Sequence, residues 1–166
     1  MTGADMTLRF GALRVPTRVH WPRMHAGWLT LVLSDEVAAT DDRVAASIIV
    51  VLSGAHSAVV GMAALRWLAD HAEELGARPD RLLVAGGARA AWLALAARDS
   101  TGPVLRRQIL VHPRFSPAVP MPTNVDGAPA ATVVCGLDSY DDGRRYAARL
   151  RAAGIAVEEV RDGHRH

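Results

Sequence analysis

The segment 81–97 constrains the fold most strongly. A short apolar run, 82–85, leads into the paired glycines Gly86 and Gly87, and an alanine- and leucine-rich stretch follows over 88–98. An uninterrupted apolar run of this length is typical of a strand buried on both faces, whereas the stretch after the glycines has the composition of a helix. The sequence therefore predicts a buried strand that turns sharply into a helix.

Strand-like and helix-like patterns alternate along the rest of the chain. Further strands are predicted by apolar or β-branched runs, at 8–10, 15–21, 28–33, 47–52, 108–112, 131–135 and 155–160. The first two should form an edge hairpin, because Gly11 separates them and Pro16 interrupts the second. Further helices are predicted from Ser57 to about residue 75, with Gly76 as the stop, and over about 140–153. The proline-rich segment 113–129 has no periodicity and is predicted to be a surface loop.

This alternation predicts the α/β class in a single domain, 1–166. Strands that alternate with helices form right-handed βαβ units, which gives a three-layer α/β/α sandwich with a mostly parallel sheet. In such sheets ligands bind outside the carboxyl ends of the strands. The residues that follow the predicted strands are therefore the candidate positions for a site, at Ser34, Ser53, Gly86 to Ala88, His112, 136–138 and 162–166.

Composition excludes several classes of function. All 19 basic residues are arginine, yet the net charge is only +2 and the arginines are scattered, so we expect no binding of nucleic acid. No apolar run could span a bilayer, and the first residues lack the pattern of a signal peptide, so a cytoplasmic protein that does not bind membranes is predicted. The single cysteine, Cys135, fits a reducing compartment. No spacing indicates a metal or a cofactor, and the sequence leaves open a small-molecule ligand and a homo-oligomer.

Three motifs resemble the hormone-sensitive-lipase-like esterases of the α/β-hydrolase superfamily. The glycine turn, 86–90, stands where that family has Gly-Asp-Ser-Ala-Gly, and Ala88 occupies the position of the serine nucleophile. The strand ending at Cys135 and the following Gly-Leu-Asp138 resemble the family's strand and Gly-x-x-Asp, and 163–166 resembles its Gly-x-x-His. The resemblance implies a truncated α/β-hydrolase fold, since the chain has about half the usual length. It also implies that active relatives cleave carboxylic esters without a cofactor.

The resemblance assigns roles to particular residues. It makes Asp138 the triad acid and His166 the triad histidine, with His164 as the alternative. The family's His-Gly-Gly-Gly loop, which supplies oxyanion donors, is replaced by Ser34-Asp35-Glu36-Val37, and carboxylates there would oppose an oxyanion. The expected triad is thus incomplete. The residues expected to line a binding crevice are Ser34, Asp35, Ser53, Gly87, Ala88 and Arg89.

The same residues have simpler interpretations. Asp138 could cap the next helix, and His164 and His166 lie in a tail where side chains are usually exposed. His112 stands where many relatives have tyrosine, and we expect it to pack in the core. Cys135 lies inside a predicted strand and should behave as a small buried hydrophobe.

Three functions remain open from the sequence. The first is a degenerate, non-hydrolytic protein that binds a small molecule or a protein, as the loss of serine at Ala88 indicates. The second is an ester hydrolase with a relocated nucleophile, for which Ser53 or Ser34 is the candidate. The third is a cyclase or isomerase that uses Asp35, Glu36, Asp138 or a histidine as acid or base.

Overall fold

The computed structural model describes residues 2–33, 42–52, 57–136 and 140–161. Within these ranges eight strands form one sheet: β1 Thr2–Phe10, β2 Leu13–Trp21, β3 Trp28–Val32, β4 Ser47–Leu52, β5 Leu82–Gly86, β6 Leu105–Val111, β7 Ala130–Cys135 and β8 Val157–Arg161. The helices are α1 Asp42–Ala45, α2 Ala58–Asp70, α3 Ala72–Leu75, α4 Ala88–Asp99 and α5 Tyr140–Ala152. None of the described helices is long and apolar enough to cross a membrane.

The sheet has the order β1-β2-β4-β3-β5-β6-β7-β8. Strand β2 runs antiparallel to both of its neighbours, β1 and β4, and the remaining neighbours pair in parallel. The predicted edge hairpin is therefore confirmed, with Gly11 at a φ of 63° in its turn. The predicted three-layer, mostly parallel sandwich is confirmed as well.

Two apolar layers cover the two faces of the sheet. The larger layer packs α2, α4 and α5 against side chains such as Leu31, Val84 and Leu110. On the opposite face Val44 of α1 packs with Leu83 and other side chains of the central strands. Every residue of β5 is buried, as the apolar run predicted.

The predicted helix from Ser57 to residue 75 has the expected ends but is broken in the middle. The Ser57 hydroxyl accepts a hydrogen bond from Val60 N at 3.4 Å, and Gly76 ends the segment with a φ of 90°. At His71 the helix breaks into α2 and α3. The His71 ring stacks on Trp67 with centroids 4.3 Å apart, and its Nδ1 lies 2.8 Å from Trp67 O. This side-chain contact accompanies a non-helical backbone at His71.

The segment 113–129 is irregular, but the prediction that it is a surface loop is wrong in part. Val125 and Ala128 are buried in the larger apolar layer. Phe115 packs on Tyr146 at 5.4 Å, and its N–H donates to Asp142 Oδ2 at 3.0 Å. The segment is thus a packed part of the molecule that lies over the carboxyl end of β6.

Among the described residues, Tyr146 of α5 is the largest fully buried side chain. Its hydroxyl lies beside the side chain of Gln108, whose Nε2 donates to Pro129 O at 3.1 Å. Burial raises the pKa of Tyr146 to about 12, because the phenolate would lose its hydration, and Arg98 offsets this only in part. Burial likewise raises the pKa of Cys135.

We predict that the protein loses stability in alkali through Tyr146. The folded state holds the phenol proton more tightly than the unfolded chain, so stability is full below pH 10 and falls as the pH rises from 10 towards 12. The loss should be of the order of 2–3 kcal/mol. Because the chain has no lysine, few other groups titrate there. Urea unfolding between pH 9 and 12 measures the slope.

The matched comparison is Tyr146→Phe in a Cys135→Ala background, which removes the one titrating thiol. We expect the unfolding free energy of the double variant to fall much less steeply with pH than that of the Cys135→Ala protein. Equal slopes in the two proteins would contradict the assignment to Tyr146.

Candidate functional site

A crevice of about 540 Å³ opens where the carboxyl ends of β3, β5 and β6 meet. This is the edge at which open parallel sheets bind ligands. The described residues that line it come from the three strand ends, from the start of α4 and from segment 113–129: Leu33, Gly86, Gly87, Ala88, Arg89, Val111, His112, Arg114, Ser116 and Val119.

The turn from β5 into α4 depends on Gly86. Its φ is 154°, and a Cβ there would lie 3.3 Å from Ala90 Cβ and 3.4 Å from Leu33 Cβ. Glycine is therefore needed both for the backbone conformation and for the close approach of β3 and α4. Gly87 follows as the N-terminal cap of α4, and its carbonyl accepts from Ala90 N at 3.0 Å.

Ala88 is the first residue of α4 and lines the crevice with a 7% exposed surface. A nucleophilic serine at such a turn requires a strained backbone that presents its hydroxyl. Among the described non-glycine residues only His112 has a positive φ, so Ala88 has no such strain. The strand–turn–helix is present, but it lacks both the hydroxyl and the strained geometry.

His112 directly follows β6 and has a φ of 44°. Its N–H donates to Val134 O at 2.9 Å, and its ring lies against Gly136, where a Cβ would be 2.9 Å from Nε2. The side chain is half-buried and lines the crevice. The prediction that His112 packs in the core is therefore incomplete, because the residue also lines the crevice.

Two serines lie near the crevice, and both hydroxyls stabilise local backbone. Ser57 caps α2, as described above. Ser116 Oγ accepts from Val119 N at 3.2 Å within segment 113–129. Both hydroxyls therefore cap backbone N–H groups, which is the usual role of serine at helix starts and turns.

Cys135 is not part of the described lining. Its side chain is 5% exposed, and a Cβ on Gly143 of α5 would lie only 2.8 Å from its Sγ. Burial raises the pKa of the thiol, so the nucleophilic thiolate is disfavoured. The prediction of a small buried hydrophobe is confirmed.

A second cavity, of about 470 Å³, lies between α2, α4 and segment 113–129. Its described lining is mainly apolar: Leu33, Ser57, Ala58, Gly61, Arg89, Trp92, Leu93, Ala118, Val119 and Pro120. Trp92 Nε1 donates to Pro120 O at 2.7 Å, which ties α4 to the segment at the rim. Leu33, Arg89 and Val119 line both cavities, so the two lie side by side.

Of the predicted site residues, the structure brings Gly87, Ala88 and Arg89 together at the start of α4. Ser34, Asp35, Ser53, Asp138, His164 and His166 lie outside the described residues, as does Glu36. The assignments of a triad acid and histidine therefore stay predictions. Among residues 2–33, 42–52, 57–136 and 140–161, no group of three or more histidine, cysteine or acidic side chains could hold a metal ion.

Trp92 and Arg114 were not predicted as site residues. In the sequence, Trp92 cannot be distinguished from the other apolar residues of its helix. Only the packing of segment 113–129 places it at the rim of the second cavity. Arg114 follows His112 closely after β6, so its position beyond a strand end is the one signal that could have identified it.

Known proteins resemble this chain in sequence. A family described as alpha/beta hydrolase fold matches residues 57–125. Carboxylesterase NlhH of Mycobacterium tuberculosis is 33% identical over 146 residues, covering 72% of this chain and 46% of that protein. Esterase LipI of the same organism is 31% identical over 143 residues, covering 58% of this chain and 45% of that protein. The chain thus spans about half the length of these curated relatives.

Solved structures resemble the fold over nearly the whole chain. An arylesterase superposes with a TM-score of 0.80 at 16% identity, covering 97% of this chain and 76% of that one. EstE1, a thermophilic carboxylesterase cloned from a metagenomic library, superposes with a TM-score of 0.78 at 22% identity, covering 96% of this chain and 78% of that one. At these identities the likeness concerns the fold alone.

The two glycines of the turn should respond differently to alanine. Gly86→Ala should lower the free energy of unfolding by about 1–3 kcal/mol, because its φ is unfavourable for a side chain and the space is filled. Gly87→Ala is the matched control, since nothing lies within 4 Å of its Cβ position, and it should change stability by less than about 1 kcal/mol. Urea unfolding of both variants measures this, and equal losses would contradict the described turn.

Proposed function

Because this chain belongs to the α/β-hydrolase superfamily and has alanine at the serine position, we propose that it is a non-hydrolytic member that binds a small molecule. The binding site is the crevice at the start of α4 together with the adjoining apolar cavity. The single observation that carries the proposal is Ala88, which lines the crevice on an unstrained helical turn.

The loss of the nucleophile has a large cost for ester hydrolysis. Removal of the serine from a serine hydrolase lowers kcat by ~10⁶, and what remains comes from oxyanion stabilisation and binding. Ser57 and Ser116 cap backbone N–H groups, and the thiol of Cys135 is buried, so these side chains are poor substitutes. A mechanism through an acyl-enzyme is therefore not part of the proposed function.

The two cavities support the proposal that the protein binds a small molecule without hydrolysing it. Their volumes, about 470 and 540 Å³, fall within the range of small-molecule sites. The walls are apolar side chains of α2 and α4 on one side and polar groups at the strand ends on the other. Such a combination of an apolar body and a few polar groups is typical of ligand pockets.

The test is hydrolysis of p-nitrophenyl esters by the wild type, by Ala88→Ser and by Ala97→Ser. Ala97 is the matched control, since it is a buried alanine of the same helix outside the described lining. We expect ester hydrolysis in the presence of each of the three proteins to be no faster than the uncatalysed hydrolysis in buffer. Ala88→Ser should stay inactive because its hydroxyl would lie on a regular first helical turn.

Turnover by the wild type would overturn the proposal. Its loss in Ser53→Ala or Ser34→Ala would then identify a relocated nucleophile. Turnover gained by Ala88→Ser alone would show that every other part of an esterase site is intact, and this would contradict the inference that the strained turn is missing. Thermal unfolding of each variant checks that it is folded.

A further inference from the structure

We propose that the protein forms a symmetric dimer in which β1 pairs antiparallel with β1 of a second copy. This inference goes beyond the ligand-binding function and does not depend on it. Strand β1 ends the strand order, so its outer side pairs with no other strand of the described sheet. It has nine residues and no proline, and it pairs with β2 without a bulge. Natural proteins usually shorten, interrupt or cover such an edge, because its unpaired N–H and C=O groups attract a further strand.

The hairpin determines which backbone groups of β1 face outwards. Phe10 and Leu13 flank the two-residue turn and lie opposite each other. Residues in this position are joined by backbone hydrogen bonds, and bonded and non-bonded pairs alternate from there along the ladder. The N–H and C=O groups of Asp5, Thr7 and Arg9 therefore point away from β2. A second copy centred on Thr7 would pair with all three residues and add about six backbone hydrogen bonds.

The charged side chains of β1 select this register. With Thr7 on the two-fold axis, Asp5 of each copy lies opposite Arg9 of the other copy, so that one ion pair forms on each side of the axis. An axis at Met6 would lose both ion pairs. An axis at Asp5 would place two carboxylates directly opposite each other, which is destabilising.

Arg9 has an unfavourable neighbour that a second copy would compensate. Within the hairpin it lies directly opposite Arg14, and both residues are exposed. Like charges in this position are destabilising, and among the described residues no ion pair involves Arg9 or Arg14. Asp5 bonds to Arg18 at 2.6 Å, yet its side chain is 75% exposed and can accept a second arginine. The carboxylate of one copy would thus offset the repulsion at Arg9 of the other.

The opposite face of β1 carries apolar side chains that continue the larger apolar layer. Leu8 is buried in that layer, and Met6 and Phe10 are half-buried against it. In the proposed register Met6 lies opposite Leu8 of the second copy, and Phe10 lies opposite Ala4. Leu13, which is 44% exposed, lies beside Phe10 and extends this surface. The pairing would therefore cover apolar area on one face while it forms ion pairs on the other.

The experiment is sedimentation velocity of the full chain over a series of protein concentrations. We expect the wild type to show a monomer–dimer equilibrium. Asp5→Arg and Arg9→Asp should each raise the dissociation constant at least tenfold, because each places like charges opposite each other on both sides of the axis. An equimolar mixture of the two variants should dimerise like the wild type. In the mixed dimer the new arginine lies opposite the new aspartate, and the native Asp5 lies opposite the native Arg9.

Arg14→Asp is the matched control. It makes the same change of charge as Arg9→Asp on the same face of the hairpin, but it lies on β2, one strand away from the second copy. We expect it to dimerise like the wild type, and thermal unfolding checks that every variant is folded. A wild type that stays monomeric at every concentration would overturn the inference. So would wild-type dimerisation of Asp5→Arg or Arg9→Asp, a mixture that stays monomeric, or a loss in Arg14→Asp equal to that in Arg9→Asp.

Discussion

The close approach of β3, β5 and α4 at Gly86 is the contact on which the site depends. Strand β5 is buried along its whole length, and the chain leaves the sheet by a sharp turn at its carboxyl end. Gly86 makes that turn because it has no side chain to meet Leu33 and Ala90. The turn places the first residues of α4, Ala88 and Arg89, over the strand ends. Without this approach neither the crevice nor the adjoining cavity would have its present walls.

Most of the fold could be predicted from the sequence because its signals are local. Runs of four to six apolar residues, glycine turns and the cap at Ser57 each act within one element, and the structure confirms the strands and helices that they predict. The break at His71 was not predicted. It involves the stacking of the ring on Trp67, which leaves no mark in the apolar periodicity of the helix.

The candidate site could be predicted only where it coincides with the turn after β5. Segment 113–129 contributes much of the remaining lining, and three side chains hold it by donating to backbone carbonyls. Trp92 donates to Pro120 O at 2.7 Å, Arg98 donates to Asp126 O at 2.7 Å, and Arg149 donates to Pro122 O. A backbone carbonyl is present at every residue, so such anchors cannot be recognised in the sequence. For this reason segment 113–129 has the composition of a surface loop, although it packs as a wall of the site.

The family relationship and the inferred function are consistent with each other if the fold has kept its crevice and lost its nucleophile. The most direct measurement is the intact mass of the protein after incubation with a fluorophosphonate, which phosphonylates activated serines. We expect the unmodified mass, because Ala88 offers no hydroxyl and the hydroxyls of Ser57 and Ser116 cap backbone N–H groups. A stoichiometric adduct on any serine would contradict the loss of the nucleophile.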